Sequence, residues 1–237
     1  PVAFGNASRL FNYLLDKEKV YRAVFRFGTE TDTLDSTGAV LREGLPVPEE
    51  KEINDTLPKF VGEIEQIPPI YSAKSVGGVR AYQLARQGRE VELSAKKIAV
   101  HSLEMLGRLD ETDYEFRITC GGGTYIRSLA RDIAAACGTC AIMTSLVREK
   151  SGAFGLSSSV QFDELTRENW REFAISPDSV FEMPKADICG GAAQKLRNGL
   201  KIACDFADGE YKLYFEGSFY GIAVAESGLL RAKAKLV

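Results

Sequence analysis

Tyr125 and Arg127 follow three consecutive glycines in "GGGTYIRSLARDIAAACG", residues 121–138. Glycines let a backbone turn sharply or come close to another group. At a junction of strand and helix, backbone amides and side chains can converge on a ligand. The tyrosine and arginine are therefore either scaffold or the edge of a pocket. Other tyrosines and basic side chains also stand at the ends of elements. Tyr21 lies on a strand face, Tyr71 and Lys74 in the loop after Pro68-Pro69, and Arg148 in "SLVREK". On pattern alone each is more readily structural, because a buried tyrosine is usually core.

The chain has a single histidine, His101. That rules out a multi-histidine metal site and an HExxH zinc site and argues against a Ser-His-Asp triad. Any chemistry here rests on carboxylate, tyrosine, arginine or lysine. The five cysteines are an odd number spread over a long chain, which is not a disulfide framework. Cys137-Gly-Thr-Cys140 has CxxC spacing, but no second CxxC partners it. Small buried thiols in a reducing cytoplasm are expected there, rather than a metal or redox centre.

With 45% hydrophobic and 27% charged residues, the composition is that of an ordinary soluble domain. No run approaches the length of a membrane span, and no signal peptide is evident. A cytoplasmic protein is expected. The net charge of -3 gives no global argument for nucleic-acid binding. Between Lys74 and Lys97, however, six basic residues face two acidic ones, a local balance of +4. That run suits a solvated helix face as well as a phosphate-binding surface. The chain opens Pro-Val-Ala-Phe without an initiator methionine, so further sequence is expected upstream of Pro1.

The elements that would position these side chains can be read from periodicity. Residues 8–16 suit a short helix. "KVYRAVFRFG" alternates, with Tyr21, Ala23, Phe25 and Phe27 on one face and Val20, Arg22, Val24 and Arg26 on the other. A helix is expected over about 49–60, strands over 95–109 and 114–120, and a further strand through "AIMTSLVREKSGAF". Ile126, Leu129, Ala130, Ile133, Ala134 and Cys137 form a helical stripe that stops at Gly138. Composition shifts near 180–186, and short strands with regular turns follow. The fold class is α+β, with a small C-terminal β appendage.

Four segments resemble, in order and spacing, the blocks of the TruB family of pseudouridine synthases. They are "KVYRAVFRFGTETDTLDSTG", "QIPPIYSAKSVGGVRAYQLARQGREV", "GGGTYIRSLARDIA" and "SLVREKSGAF". The tail, with "KLRNG", "FYGIA" and "GLLRAK", is similar to a PUA-type RNA-binding module. The resemblance implies a pseudouridine synthase catalytic fold over 1–180, with an RNA-gripping insertion at about 64–92. It also implies a PUA-like β-barrel over 185–237. The implied reaction is cofactor-free isomerisation of uridine 55 in the T-loop of tRNA. The base is flipped into a pocket, and the glycosidic bond is broken and re-formed through carbon. The implied partner is the tRNA T-stem-loop, bound by a monomer, with no membrane and no metal.

By the same resemblance, Tyr125 packs against the flipped base and Arg127 orients the catalytic carboxylate. Tyr21 and Leu146 line the pocket, and Arg148 lies beside it. Tyr71, Lys74, Arg86 and Arg89 belong to the insertion that grips RNA. One departure is plain. The family's nucleophile is an aspartate in a "G-T-L-D-P-x-A-S-G" loop, and no such loop stands in these 237 residues. "TDTLDSTG" imitates it, but it follows the Tyr21 strand and Asp35 has no proline after it, so Asp35 is set aside as nucleophile. The alternatives are a non-catalytic RNA-binding or tRNA-folding protein, and a guide-RNA-dependent synthase acting on ribosomal RNA.

Overall fold

The computed structural model describes residues 1–15, 17–72, 75–76, 78–81, 83 and 93–236. They divide into two compact units, Asp16–Ser157 and a second made of Pro1–Leu15 with Ser158–Val237.

The first unit is built on the alternating strand β1, Lys19–Phe27. Its odd-numbered face carries Ala23, Phe25 and Phe27, all fully buried, while Arg22 on the other face is exposed. Strand β1 lies inside a six-stranded antiparallel sheet of order β10-β9-β1-β8-β7-β4. The other strands of this sheet are β4 (Gly62–Gln66), β7 (Lys96–Arg108), β8 (Asp113–Cys120), β9 (Ala141–Ser151) and β10 (Phe154–Gly155). Two small hairpins, β2 (Glu30–Thr31) with β3 (Val40–Arg42) and β5 (Ser75–Val76) with β6 (Val79–Arg80), leave the sheet.

Helix α1 spans Glu50–Thr56 and tightens into a 3-10 turn at Leu57–Phe60, where Pro58 cannot donate to the preceding turn. Helix α2, Ile126–Ala136, buries the stripe expected of it: Leu129, Ala130, Ile133 and Ala134 have no exposed surface. They meet the aromatic face of the sheet, where the Phe25 and Phe116 rings stack at 4.6 Å. Each such buried large side chain stabilises the unit by about 1.5–3 kcal/mol relative to exposure. This layer makes the floor on which the first turn of α2 stands.

The second unit has a five-stranded sheet of order β11-β13-β14-β15-β12, with β11 parallel to β13 and the other pairs antiparallel. The strands are β11 (Lys185–Ile188), β12 (Ile202–Ala203), β13 (Gly209–Phe215), β14 (Ser218–Glu226) and β15 (Leu229–Lys235). Helix α3, Gly190–Arg197, covers it through Ala193 and Leu196. The sequence places a boundary at 180–185, whereas the compact units part at 157/158. The N-terminal segment joins the C-terminal unit because Leu10, Phe181 and Ile222 bury one another. That N-terminal segment is a 3-10 turn (Gly5–Leu10) followed by one helical turn (Asn12–Leu15) in place of a continuous helix.

Candidate active site

Strand β8 ends at Cys120, and five residues later Tyr125 sits immediately before α2 with an extended backbone, φ -100° and ψ 109°. The glycines make this step. Gly123 has φ +84°, a left-handed conformation that glycine adopts without strain. Gly121, by contrast, has ordinary room for a Cβ, so close packing does not demand all three. Tyr125 carries no side-chain cap. Its N–H donates instead to the Gln66 side-chain oxygen at 2.9 Å, and its carbonyl accepts from the Gln66 amide nitrogen at 3.2 Å.

Arg127 lies in the first turn of α2. Its Nη1 donates to the Thr33 carbonyl at 2.8 Å and to Asp35 Oδ2 at 2.9 Å, and its Nη2 to the Tyr71 carbonyl at 2.8 Å. About one-fifth of each side chain in the Arg127–Asp35 pair is exposed. The polar turn between β2 and β3 therefore reaches the helix. Within it, Asp35 Oδ1 accepts from Thr33 Oγ1 at 2.7 Å, Thr37 N at 3.0 Å and Thr37 Oγ1 at 2.6 Å. Burial pushes the Asp35 carboxyl up, but the Thr37 and Thr33 hydrogen bonds and the Arg127 charge outweigh it. The net effect holds the carboxyl below the usual carboxylate range.

This turn has two unusual backbone positions. Leu34 is held at φ 61°, a left-handed setting that costs a non-glycine residue about 1 kcal/mol. Its side chain is buried and its carbonyl accepts from Met143 N at 3.1 Å, which ties the turn to β9. Gly38 packs so closely that a Cβ would collide with the Asp32 and Thr33 side chains.

Further along β9, Leu146 pairs with Ala23 and Arg148 with Tyr21. Antiparallel partners project from the same face of a sheet. Leu146 and Arg148 thus share the helix-bearing face with Tyr21, which packs against the core. Burial raises the Tyr21 hydroxyl's pKa, opposed by a hydrogen bond from Arg148. Leu146 is 42% exposed, an uncovered apolar side chain beside this face.

Of the residues the sequence singled out, Tyr125, Arg127 and the Tyr71 main chain come together, and Tyr21, Leu146 and Arg148 form a second group on β1 and β9. Lys74, Arg86 and Arg89 lie outside the described residues. Two residues of this region escaped the sequence reading. Asp35 presents itself in sequence only as a mimic of the nucleophile, and Gln66 carries no motif. The glutamine's signal was its position at the inner-facing end of a strand, just before Pro68-Pro69. Cys137 and Cys140 are free thiols whose pKa burial raises, and among the described residues no cluster of histidine, cysteine or carboxylate could hold a metal ion. No helix among the described residues is long and apolar enough to cross a membrane.

The model of the TruB family pseudouridylate synthase N-terminal domain matches residues 1–126. The chain is 36% identical to the tRNA pseudouridine synthase B of Caldanaerobacter subterraneus subsp. tengcongensis, over 98% of this chain and 82% of that protein. It is 40% identical to the tRNA pseudouridine synthase B of Dehalococcoides mccartyi, over 85% of this chain and 69% of that protein. Among solved structures, a Cbf5-Nop10-Gar1 complex superposes with a TM-score of 0.71 over all of this chain and 72% of the other. At 20% identity that likeness speaks for the fold alone. With a family model matching residues 1–126 and a relative 36% identical over 98% of these residues, the chain belongs to the TruB family of pseudouridine synthases.

Proposed function

We propose that the protein isomerises uridine 55 in the T-loop of tRNA to pseudouridine, using the face formed by Tyr21, Tyr125, Arg127, Leu146 and Arg148. The observation that carries this reading is Arg127 itself. It stands in the first turn of α2, one of its nitrogens committed to Asp35 and Thr33 and the other to Tyr71. A guanidinium has five N–H donors. Those three bonds leave Nε–H and one Nη2–H to receive a second carboxylate, the nucleophile.

Asp35 is not that nucleophile. Its two oxygens already accept four hydrogen bonds, and its pKa is lowered rather than poised near neutrality. A carboxylate so fully satisfied is a weak nucleophile but a firm anchor for Arg127. The carboxylate that the two remaining Arg127 donors receive is an aspartate of the family's "G-T-L-D-P" type, whose loop is not among these 237 residues.

The flipped uracil needs a flat partner, an apolar wall and polar edges to offset about a few kcal/mol of unstacking. Tyr125 supplies the stacking surface, Leu146 the wall, and Tyr21 with Arg148 the polar rim. After the N1–C1′ glycosidic bond breaks, the uracil turns and C5 bonds to C1′, the C5 proton leaving to solvent as N1 takes one up. The insertion at 64–92, with Tyr71, Lys74, Arg86 and Arg89, grips the T-loop, where phosphate contacts position the RNA. The module at 185–237 extends the RNA contact. The protein acts as a cytoplasmic monomer without a cofactor.

Incubating unmodified tRNA with the full-length protein, then mapping carbodiimide adducts by primer extension, tests the reading. One new stop at the T-loop uridine is expected. Modification elsewhere, or only when a guide RNA is added, would overturn it.

A further inference from the structure

We infer that Gln66 is the positioning residue that sets the orientation of Tyr125. The inference rests on the pocket role proposed for that tyrosine. Gln66 is the last residue of β4 and only 2% exposed. A buried carboxamide must find partners, since an unpaired polar group costs about 1–3 kcal/mol. Gln66 spends both its groups on one residue: Oε1 accepts from Tyr125 N at 2.9 Å, and Nε2 donates to Tyr125 O at 3.2 Å. The opposite amide orientation would set donor against donor and acceptor against acceptor, so the side chain has one usable pose.

The consequence is mechanical. Holding N–H and C=O together fixes the peptide planes on both sides of the Tyr125 Cα, and hence the direction of its Cβ. The helix itself holds the carbonyl, which also accepts from Leu129 N at 3.1 Å. Thr124 Oγ1 ties the preceding turn to the Gly121 carbonyl at 3.1 Å, and Gln66 adds the hold on the Tyr125 N–H. Gly121–Gly123 impose no such restraint, and Tyr125 has no side-chain cap of its own. The residues after Gln66 extend the grip along α2. The Ile67 carbonyl accepts from Ser128 Oγ and Arg131 Nη2, each at 2.9 Å. The Tyr71 carbonyl accepts from Arg127 at 2.8 Å. The segment from Gln66 to Tyr71 is therefore a splint along the first turn and a half of the helix, and Gln66 is its contact with the tyrosine.

The test uses the full-length protein with Gln66→Met, which keeps the bulk and removes both hydrogen bonds, and Gln66→Glu. Single-turnover isomerisation by Gln66→Met should fall about 10- to 100-fold, the scale of a small misplacement of a reacting group. T-loop RNA affinity should change by less than about threefold. A protonated carboxyl at this position can donate to Tyr125 O and accept from Tyr125 N, whereas an ionised one faces a carbonyl oxygen. The ratio of Gln66→Glu activity to wild type should therefore climb from about pH 8 to about pH 5.5, burial raising the new carboxyl's pKa. Gln66→Met should show no such recovery.

Hydrogen exchange at the Tyr125 amide gives a readout independent of turnover, and should be at least about tenfold faster in Gln66→Met. If wild type is inactive yet its Tyr125 amide is protected and loses protection in Gln66→Met, the proposed reaction fails while the splint stands. Unchanged exchange overturns the inference. So does a parallel loss of melting temperature and RNA affinity with wild-type turnover per folded molecule.

Discussion

Arg127 donates to the carboxylate of Asp35 at 2.9 Å and to the carbonyl of Thr33, two residues earlier, at 2.8 Å. One side chain belongs to the first turn of a buried helix and the other to a polar turn whose backbone passes through a left-handed leucine. The pair makes the turn and the helix a single unit. With four-fifths of each side chain covered, solvent screens it less than it would an exposed pair.

Arg127→Ala should lower kcat about 10- to 100-fold, the value of about 1.5–3 kcal/mol for hydrogen bonds to a charged group. Arg127→Lys should recover little, because an ammonium cannot reproduce the three-way fork to Thr33, Asp35 and Tyr71. Single-turnover kinetics check both variants. Near-normal turnover in either would remove Arg127 from the reaction.

Asp35→Asn keeps the shape of the turn and removes the charge opposite Arg127. A roughly tenfold loss of kcat with RNA affinity retained is expected. The pH dependence has a definite sign. The Asp35 carboxyl is held below the usual carboxylate range, so its contribution to stability is present above that range and lost as pH falls through the lower folded value. Melting temperatures of wild type and variant should therefore differ by a constant amount from neutral pH to about pH 4, then converge. A gap that widens on acidification would contradict the pairing.

Gly38→Ala forces a methyl group against Asp32 and Thr33 in the turn that presents Asp35. Overpacking of this kind costs about 1–3 kcal/mol. Chemical denaturation should register that loss. Turnover should fall more steeply than stability alone predicts, because the displaced turn carries the Arg127 anchor.

Tyr125→Ala should abolish turnover while leaving T-loop affinity within about tenfold, since base stacking supplies about 1–3 kcal/mol. Tyr125→Phe should retain affinity and lose turnover, which separates the ring's packing from its hydroxyl. Equal losses of turnover and binding in both variants would leave no pocket role for the residue.

Much of this architecture was legible in the residues because burial there obeys one period. The alternation of Tyr21 to Phe27 and the stripe from Ile126 to Ala134 are each decided by a single face meeting the core. The partition near 180 was harder, because Leu10 finds Phe181 and Ile222 across more than 170 residues of chain. Periodicity carries no trace of such a contact. The pairing of Asp35 with Arg127, and the place of Gln66, were illegible for a related reason. "TDTLDSTG" reads as an ordinary turn, and only its docking on β9 and Arg127 gives its carboxylate a place. Gln66 closes a strand otherwise unremarkable, and only the fold reveals that its amide faces the Tyr125 backbone.

The central claim, a uridine-isomerising pocket built on the α2 start, is most directly tested by tritium release from a T-stem-loop carrying 5-tritiated uridine. The full-length protein should release one tritium per RNA, from uridine 55, and Tyr125→Ala should release none while still binding the RNA. Tight binding without release by the full-length wild type would contradict the account.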